Sequence, residues 1–275
     1  MRFEGSGSDI LTSPSEVTLR AAILIVLAGA LPFPRSPAAT GCDKNQKPFM
    51  VAAESALAGL RVLALVPVRV PGDADSALRA RSAALDTLME YEVRRGGWTL
   101  IPARVTDSVW QVSDDSLGAM FDPSTGRPDS AKHAARLSLF KRAMEESLQA
   151  DAYLYSRLQV VPAAFDNGSA KWDGAKQGYA NFGKKFAEAL GGHGPAKGRA
   201  PALSLKTALV TRTDVVIYEN AGGIQLLSVP SGDKFQDVPR SLILVDTARV
   251  AGAVRIALCQ LMEQVARTEF RNPSP

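Results

Sequence analysis

The chain has 275 residues, 46% hydrophobic and 22% charged, a composition that excludes wholesale disorder. Lys and Arg total 32 against 28 acids, and a net charge of +4 with no clustered basic stripe argues against nucleic-acid binding. Two cysteines exclude a disulfide-rich scaffold and a Cys-based zinc cluster, and two histidines leave little room for His-dependent metal or triad chemistry.

Residues 21–33 (AAILIVLAGALPF) form an uncharged apolar run of 13, preceded by Arg20 and followed by Pro34 and Arg35. A membrane-spanning helix needs ~20 apolar residues. A basic residue, a short apolar core and then small residues is instead the build of a secretory signal. Glu4, Asp9 and Glu16 make the preceding segment unusually acidic, which fits a translation start downstream of Met1. Two processing outcomes are open. Ala39-Thr40-Gly41-Cys42 resembles a bacterial lipobox, with Ala39 where leucine is usual, and would make Cys42 the acylated lipid anchor. Cleavage after Ala38 or Ala39 would instead leave a soluble periplasmic protein. A retained apolar helix is a third option. The expected organisation is a signal at 1–41, a polar tether at 42–59, a single α/β domain at 60–268 and a tail at 269–275.

In chain order, residues 61–68 (RVLALVPV) read as a buried strand. Leu78, Leu85 and Met89 recur at helical spacing, with Gly96-Gly97 as the stop. Residues 98–101 form a second strand ending at Pro102. Residues 122–129 are loop, after which Ser130 can cap a helix with Leu137, Phe140, Met144 and Leu148 on one face. Residues 152–161 are a third strand. Asp166-Asn167-Gly168 is a hairpin turn leading to residues 169–172. Residues 203–210 (LSLKTALV) alternate as a strand, and residues 211–214 turn the chain into a strand at 215–218. Leu244, Ala248, Ala251, Val254, Leu258, Leu261 and Val265 line a final amphipathic helix, with Cys259 beside the stripe as an inert buried thiol. The fold class is α/β: a two-layer or three-layer sandwich with a mixed sheet flanked by helices. A Gly/Lys-rich insertion at 174–201 carries five basic residues against Glu188 alone.

Chemical motifs are weak. Residues 178–185 (GYANFGKK) approach a phosphate-binding P-loop but lack its hydroxyl residue and a preceding strand. Ser138 and Lys141 have the Ser-x-x-Lys spacing of penicillin-recognising enzymes without the companion motifs. His133 and His193 have no partners at ligand spacing and read as surface residues. Asp114-Asp115 and Glu145-Glu146 read as solvated faces. The basic, aromatic-studded stretch with Trp172, Phe182 and Phe186 reads as a docked helix rather than a polymer or lipid site. No catalytic residue, metal site or cofactor is expected.

Three segments carry a resemblance: "VLALVPV", "LQADAYLYSRLQV", and "LSLKTALVTRTDVVIYENAGGIQLL" followed by a long helix. Over roughly 60–265 the chain resembles the envelope lipoproteins related to the curli-secretion channel subunit and the peptidoglycan-synthase activators (the CsgG/LpoB-like group). The resemblance implies an α/β sandwich at the cell envelope that binds proteins or assembles into oligomers. It does not imply catalysis.

The expected function is thus an exported, non-enzymatic envelope protein, lipid-anchored through Cys42 if the lipobox is used, acting on a protein partner or as a homo-oligomer. Tyr218, Glu219, Asn220, Gly222 and Gly223 are expected at an exposed strand end, with Trp172, Asp173 and Gly174 on a neighbouring hairpin, as its binding surface. Ordinary hairpin ends are the plain alternative. The competing function is a periplasmic hydrolase or small-ligand-binding protein with a pocket at the carboxyl ends of the strands.

Overall fold

Apolar residues on both sides of one short strand set the architecture. In β1 (Val62–Leu65), Leu63 and Leu65 point to one face of the sheet, while Ala64 and the following Val66 point to the other. All four are buried, as a strand covered on both faces requires. This computed structural model describes residues 42, 47–71, 76–118, 121, 125–166, 169–178, 197–231 and 234–271.

Around β1 the chain builds α1 (Ala53–Leu57), α2 (Ser76–Arg94), β2 (Thr99–Ile101), α3 (Ala103–Leu117), α4 (Ser130–Glu146) and β3 (Ala152–Asp166). β4 (Ser169–Trp172), β5 (Ala175–Gly178), β6 (Lys197–Thr211) and β7 (Val216–Leu226) follow, then a small hairpin of β8 (Ser228–Ser231) and β9 (Lys234–Asp237). A 3-10 turn (Arg240–Leu242) leads to the last helix, α5 (Thr247–Arg271).

β1 to β7 form one mixed seven-stranded sheet. β1 lies parallel between β2 and β3. β3 and β6 pair antiparallel along their full 15 residues, and β7 pairs antiparallel with β6. The far end of β3 also pairs with β4, which pairs with β5.

The α/β expectation holds: a mixed sheet is flanked by helices on both faces. Leu63, Leu65, Leu154, Leu205 and Leu209 pack beneath α2 and α5, where Leu85, Met89, Val254, Leu258 and Leu261 are buried. Ala64, Val66, Ile101 and Tyr153 pack beneath α4 through Phe140 and Met144 on the opposite face.

Several expected boundaries move. α3 falls where the sequence suggests no helix, starting directly after Pro102. β3 runs on to Asp166, and the helix at 130 is capped by the Asp129 carboxylate, which accepts from the Ala131 and Lys132 N–H groups. Leu244 precedes α5, and Ala248 on that helix is exposed. The expected insertion is narrower, because 175–178 is β5 and 197–201 opens β6; residues 179–196 lie outside the described residues, as does the leader.

Residues expected to form a polar tether are also packed. Pro48 accepts a hydrogen bond from the Glu219 N–H (2.7 Å), and the Met50 N–H donates to Ile217 (3.2 Å), so the arm lies along the free edge of β7. Phe49 meets the Tyr218 ring edge-on at 5.1 Å, and Leu57 of α1 is buried in the main core. Cys42 is joined to Cys259 on α5 by a disulfide across a separation of 217 residues. Cys259 is therefore neither free nor fully buried, which corrects its reading as an inert core thiol. The same bond engages the Cys42 sulfur, the atom that an acyl-bearing thioether would also require.

Candidate functional site

Alternation along β6 decides which part of the sheet stays open. Leu203, Leu205, Thr207 and Leu209 are buried towards α5, and Lys206, Ala208 and Val210 are half-buried on the other face. α3 and α4 cover that second face only over β1, β2 and the start of β3. Beyond them lies a groove of about 310 Å³ lined by Val66, Arg69, Tyr155, Arg157, Lys206 and Glu219 among others. It continues into a second groove of about 310 Å³ at the carboxyl end of β1, which shares Val66 and Arg69 and adds Arg79, Asp107, Trp110 and Phe140.

The groove wall is aromatic. Trp110 meets Phe140 edge-on at 4.8 Å, Phe140 lies 6.0 Å from Tyr153, and Tyr153 lies 6.1 Å from Tyr155. The guanidinium carbons of Arg136 and Arg69 stand 4.5 and 5.9 Å from the Trp110 ring. Burial raises the Tyr155 pKa, and the nearby Arg69 partly offsets the rise.

The floor is cationic. Register places Arg69 beside Arg157 in a parallel bridge, and Arg157 opposite Lys206 in the β3–β6 ladder. Three cations thus occupy neighbouring positions in a row across the sheet. Lys206 is paired with Glu219 at 2.6 Å. Among the described residues no ion pair takes up Arg69 or Arg157, and both are exposed. Like charges at adjacent cross-strand positions are unfavourable without a counter-charge.

The residues expected to form the binding surface do come together, with Trp172, Tyr218, Asn220, Gly222 and Gly223 buried in an interior joint, Asp173 and Glu219 half-buried, and Gly174 exposed. Tyr218 is fully buried, and its hydroxyl donates to the Ala257 carbonyl at 2.6 Å. Asn220 is buried as well and donates to the Ile256 carbonyl at 3.1 Å. Gly222 abuts the α5 backbone, and Gly223 packs on the Trp172 indole while its N–H donates to the Asp173 carbonyl at 3.0 Å. Trp172 is buried, and its indole N–H donates to the Leu203 carbonyl at 3.3 Å. Gly174 adopts φ +72° against Ile256, where a Cβ would come within 2.8 Å of the Cγ2 atom. Missing side chains at Gly222 and Gly223 let β7 approach α5 on one side and Trp172 on the other, which is why this segment is internal. Of the whole set only Glu219 reaches the groove.

The weak chemical motifs find structural partners instead. Lys141 forms an ion pair with Asp214, His133 Nδ1 contacts Arg136 at 2.9 Å, and Asp114 pairs with Arg136 at 2.8 Å. Residues 179–185 and His193 lie outside the described residues. Among the described residues, the side chains close enough to share a metal ion are Cys42, Cys259 and Glu263, and both sulfurs are spent in the disulfide. No helix among the described residues is long and apolar enough to cross a membrane.

No protein-family model and no curated protein matches the chain. Among solved structures, it is similar to a PelC dodecamer from Paraburkholderia phytofirmans, at 10% identity and a TM-score of 0.28, covering 78% of this chain and 94% of that one. A homolog of a neuraminyllactose-binding hemagglutinin from Helicobacter pylori gives 9% identity and a TM-score of 0.26 over 78% and 87% of the two chains. Similarity at this level carries no argument about function.

Proposed function

We propose that the protein is an exported, non-enzymatic envelope component that acts through protein–protein contact, with the uncovered face of its sheet as the contact surface. The observation that carries this reading is the groove bounded by Arg69, Arg157 and Lys206. It is an open, charged and aromatic sheet face, the kind of surface that arginine and aromatic rings make at protein interfaces. Two features support export. The 13-residue apolar run with its basic flank suits a secretory signal. The Cys42–Cys259 disulfide suits an oxidising compartment such as the periplasm, since cytosolic thiols are kept reduced. In this reading the soluble, cleaved form takes precedence over the lipid-anchored one, because the disulfide occupies Cys42.

The test is to block free thiols in growing cells before lysis, then measure the intact mass of the protein in each fraction. A chain shortened at its N-terminus near Ala39, with Cys42 and Cys259 both unmodified by the alkylating reagent, is expected. A chain beginning at Met1 with both cysteines alkylated would contradict export.

A further inference from the structure

Resting on that reading, we infer that the groove takes an acidic peptide segment of a partner protein, whose carboxylates lie across the row Arg69, Arg157 and Lys206. Three observations converge on this chemistry.

The first is register. Arg69 pairs with Arg157, and Arg157 with Lys206, on three adjacent strands. Neighbouring strands lie about 4.8 Å apart, so the row spans about 10 Å, too long for one small oxyanion and suited to successive carboxylates along a chain.

The second is charge balance. The two grooves together are lined by Arg69, Arg79, Arg157 and Lys206 against Glu219, which pairs with Lys206, and Asp107, which keeps its charge while accepting a hydrogen bond from the neutral Gln111 amide at 2.8 Å. Arg69 and Arg157 remain without an acid among the described residues, side by side and on the same face. A carboxylate-bearing ligand would relieve that juxtaposition, with guanidinium forks suited to carboxylate oxygens.

The third is the wall. Tyr155, Trp110, Val66 and Val210 give apolar and aromatic surface on which the stems of glutamate side chains can lie. A phospholipid surface would instead call for cations projecting from a convex face, whereas these sit on the floor of a groove.

A fluorescently labelled glutamate octapeptide and the purified protein provide the test, read by anisotropy. Saturable binding that weakens as salt is raised is expected, with a glutamine octapeptide bound at least tenfold less tightly. Arg69→Gln and Arg157→Gln should each weaken binding about threefold to fivefold, the upper part of the range for solvent-accessible ion pairs. Glu219→Gln should tighten binding, because it removes the competing acid from the groove. Arg267→Gln, an exposed residue on α5 paired with Glu263, should leave the affinity unchanged, and thermal melts establish that each variant is folded. The inference fails if the glutamine peptide binds equally well, if Arg267→Gln weakens binding as much as Arg157→Gln, or if phosphatidylglycerol vesicles bind in preference to the peptide. Should the peptide fail while photoreactive residues in the groove still capture a partner in cells, the contact reading stands and only the acidic nature of the partner is lost.

Discussion

Gly222 lies flat against the backbone of Ala253: a Cβ built on Gly222 would sit 2.0 Å from the Ala253 carbonyl oxygen. β7 and α5 are therefore as close as backbone atoms allow, and the close approach lets Tyr218 and Asn220 reach the Ala257 and Ile256 carbonyls one helical turn further along α5. Gly222→Ala must push the helix off the sheet and is expected to cost about 3 kcal/mol. Gly252, the residue immediately before Ala253 on α5, has nothing within 4 Å of a built Cβ. Gly252→Ala should be neutral or stabilise by about 1 kcal/mol through helix propensity. Urea unfolding of the pair of variants distinguishes the two positions.

The Tyr218 hydroxyl is held between Ala257 and Asn220 in the core, and burial pushes its pKa up to about 12. Tyr218→Phe removes two buried hydrogen bonds, the one donated to the Ala257 carbonyl and the one accepted from the Asn220 amide, while keeping the ring against Phe49. A loss of about 2 kcal/mol is expected in the same unfolding assay.

Cys42 and Cys259 close a loop that contains almost all of the described chain. A cross-link of that length restricts the unfolded ensemble, and its removal is expected to cost about 2–5 kcal/mol. Dithiothreitol should lower the urea midpoint of the wild-type protein and leave the midpoint of the Cys42→Ser/Cys259→Ser double variant where it stands.

Asp86 accepts a hydrogen bond from the Val68 N–H at 2.8 Å. Burial raises its pKa to about 6, the hydrogen bond from Val68 lowers it in part, and Glu90 and Asp107 add to the rise. The folded protein therefore binds a proton that the unfolded chain, near its ordinary 3.8, gives up first. The stability contributed by that proton is complete below pH 4 and is lost as pH climbs through about 6. Asp86→Asn keeps an acceptor for Val68 and should flatten this part of the melting-temperature profile between pH 4 and 7.

The fold was legible wherever apolar residues repeat at a structural period. Leu203, Leu205 and Leu209 mark β6, and Val254, Leu258, Leu261 and Val265 mark α5, because burial demands that spacing. α3 was not legible. Its sequence is rich in Ser, Asp and Val, which are weak helix formers, and Pro102 reads as a stop although it stands at the N-cap, where proline is tolerated. The groove was hidden for a different reason. Arg69, Arg157 and Lys206 are far apart in the chain, and only strand register brings them into one row. The segment from Tyr218 to Gly223 meets Trp172 and Asp173 through Gly223, and its two glycines signal close packing as readily as an exposed turn. Here they serve packing.

The uncovered sheet face is proposed as the surface on which a partner docks. A photoreactive amino acid placed at Arg157, and separately at Lys206, in growing cells tests it most directly, with Arg267 as the reference position. Discrete higher-mass adducts are expected from Arg157 and Lys206, and none from Arg267. Adducts of equal yield from all three positions, or from none, would contradict it.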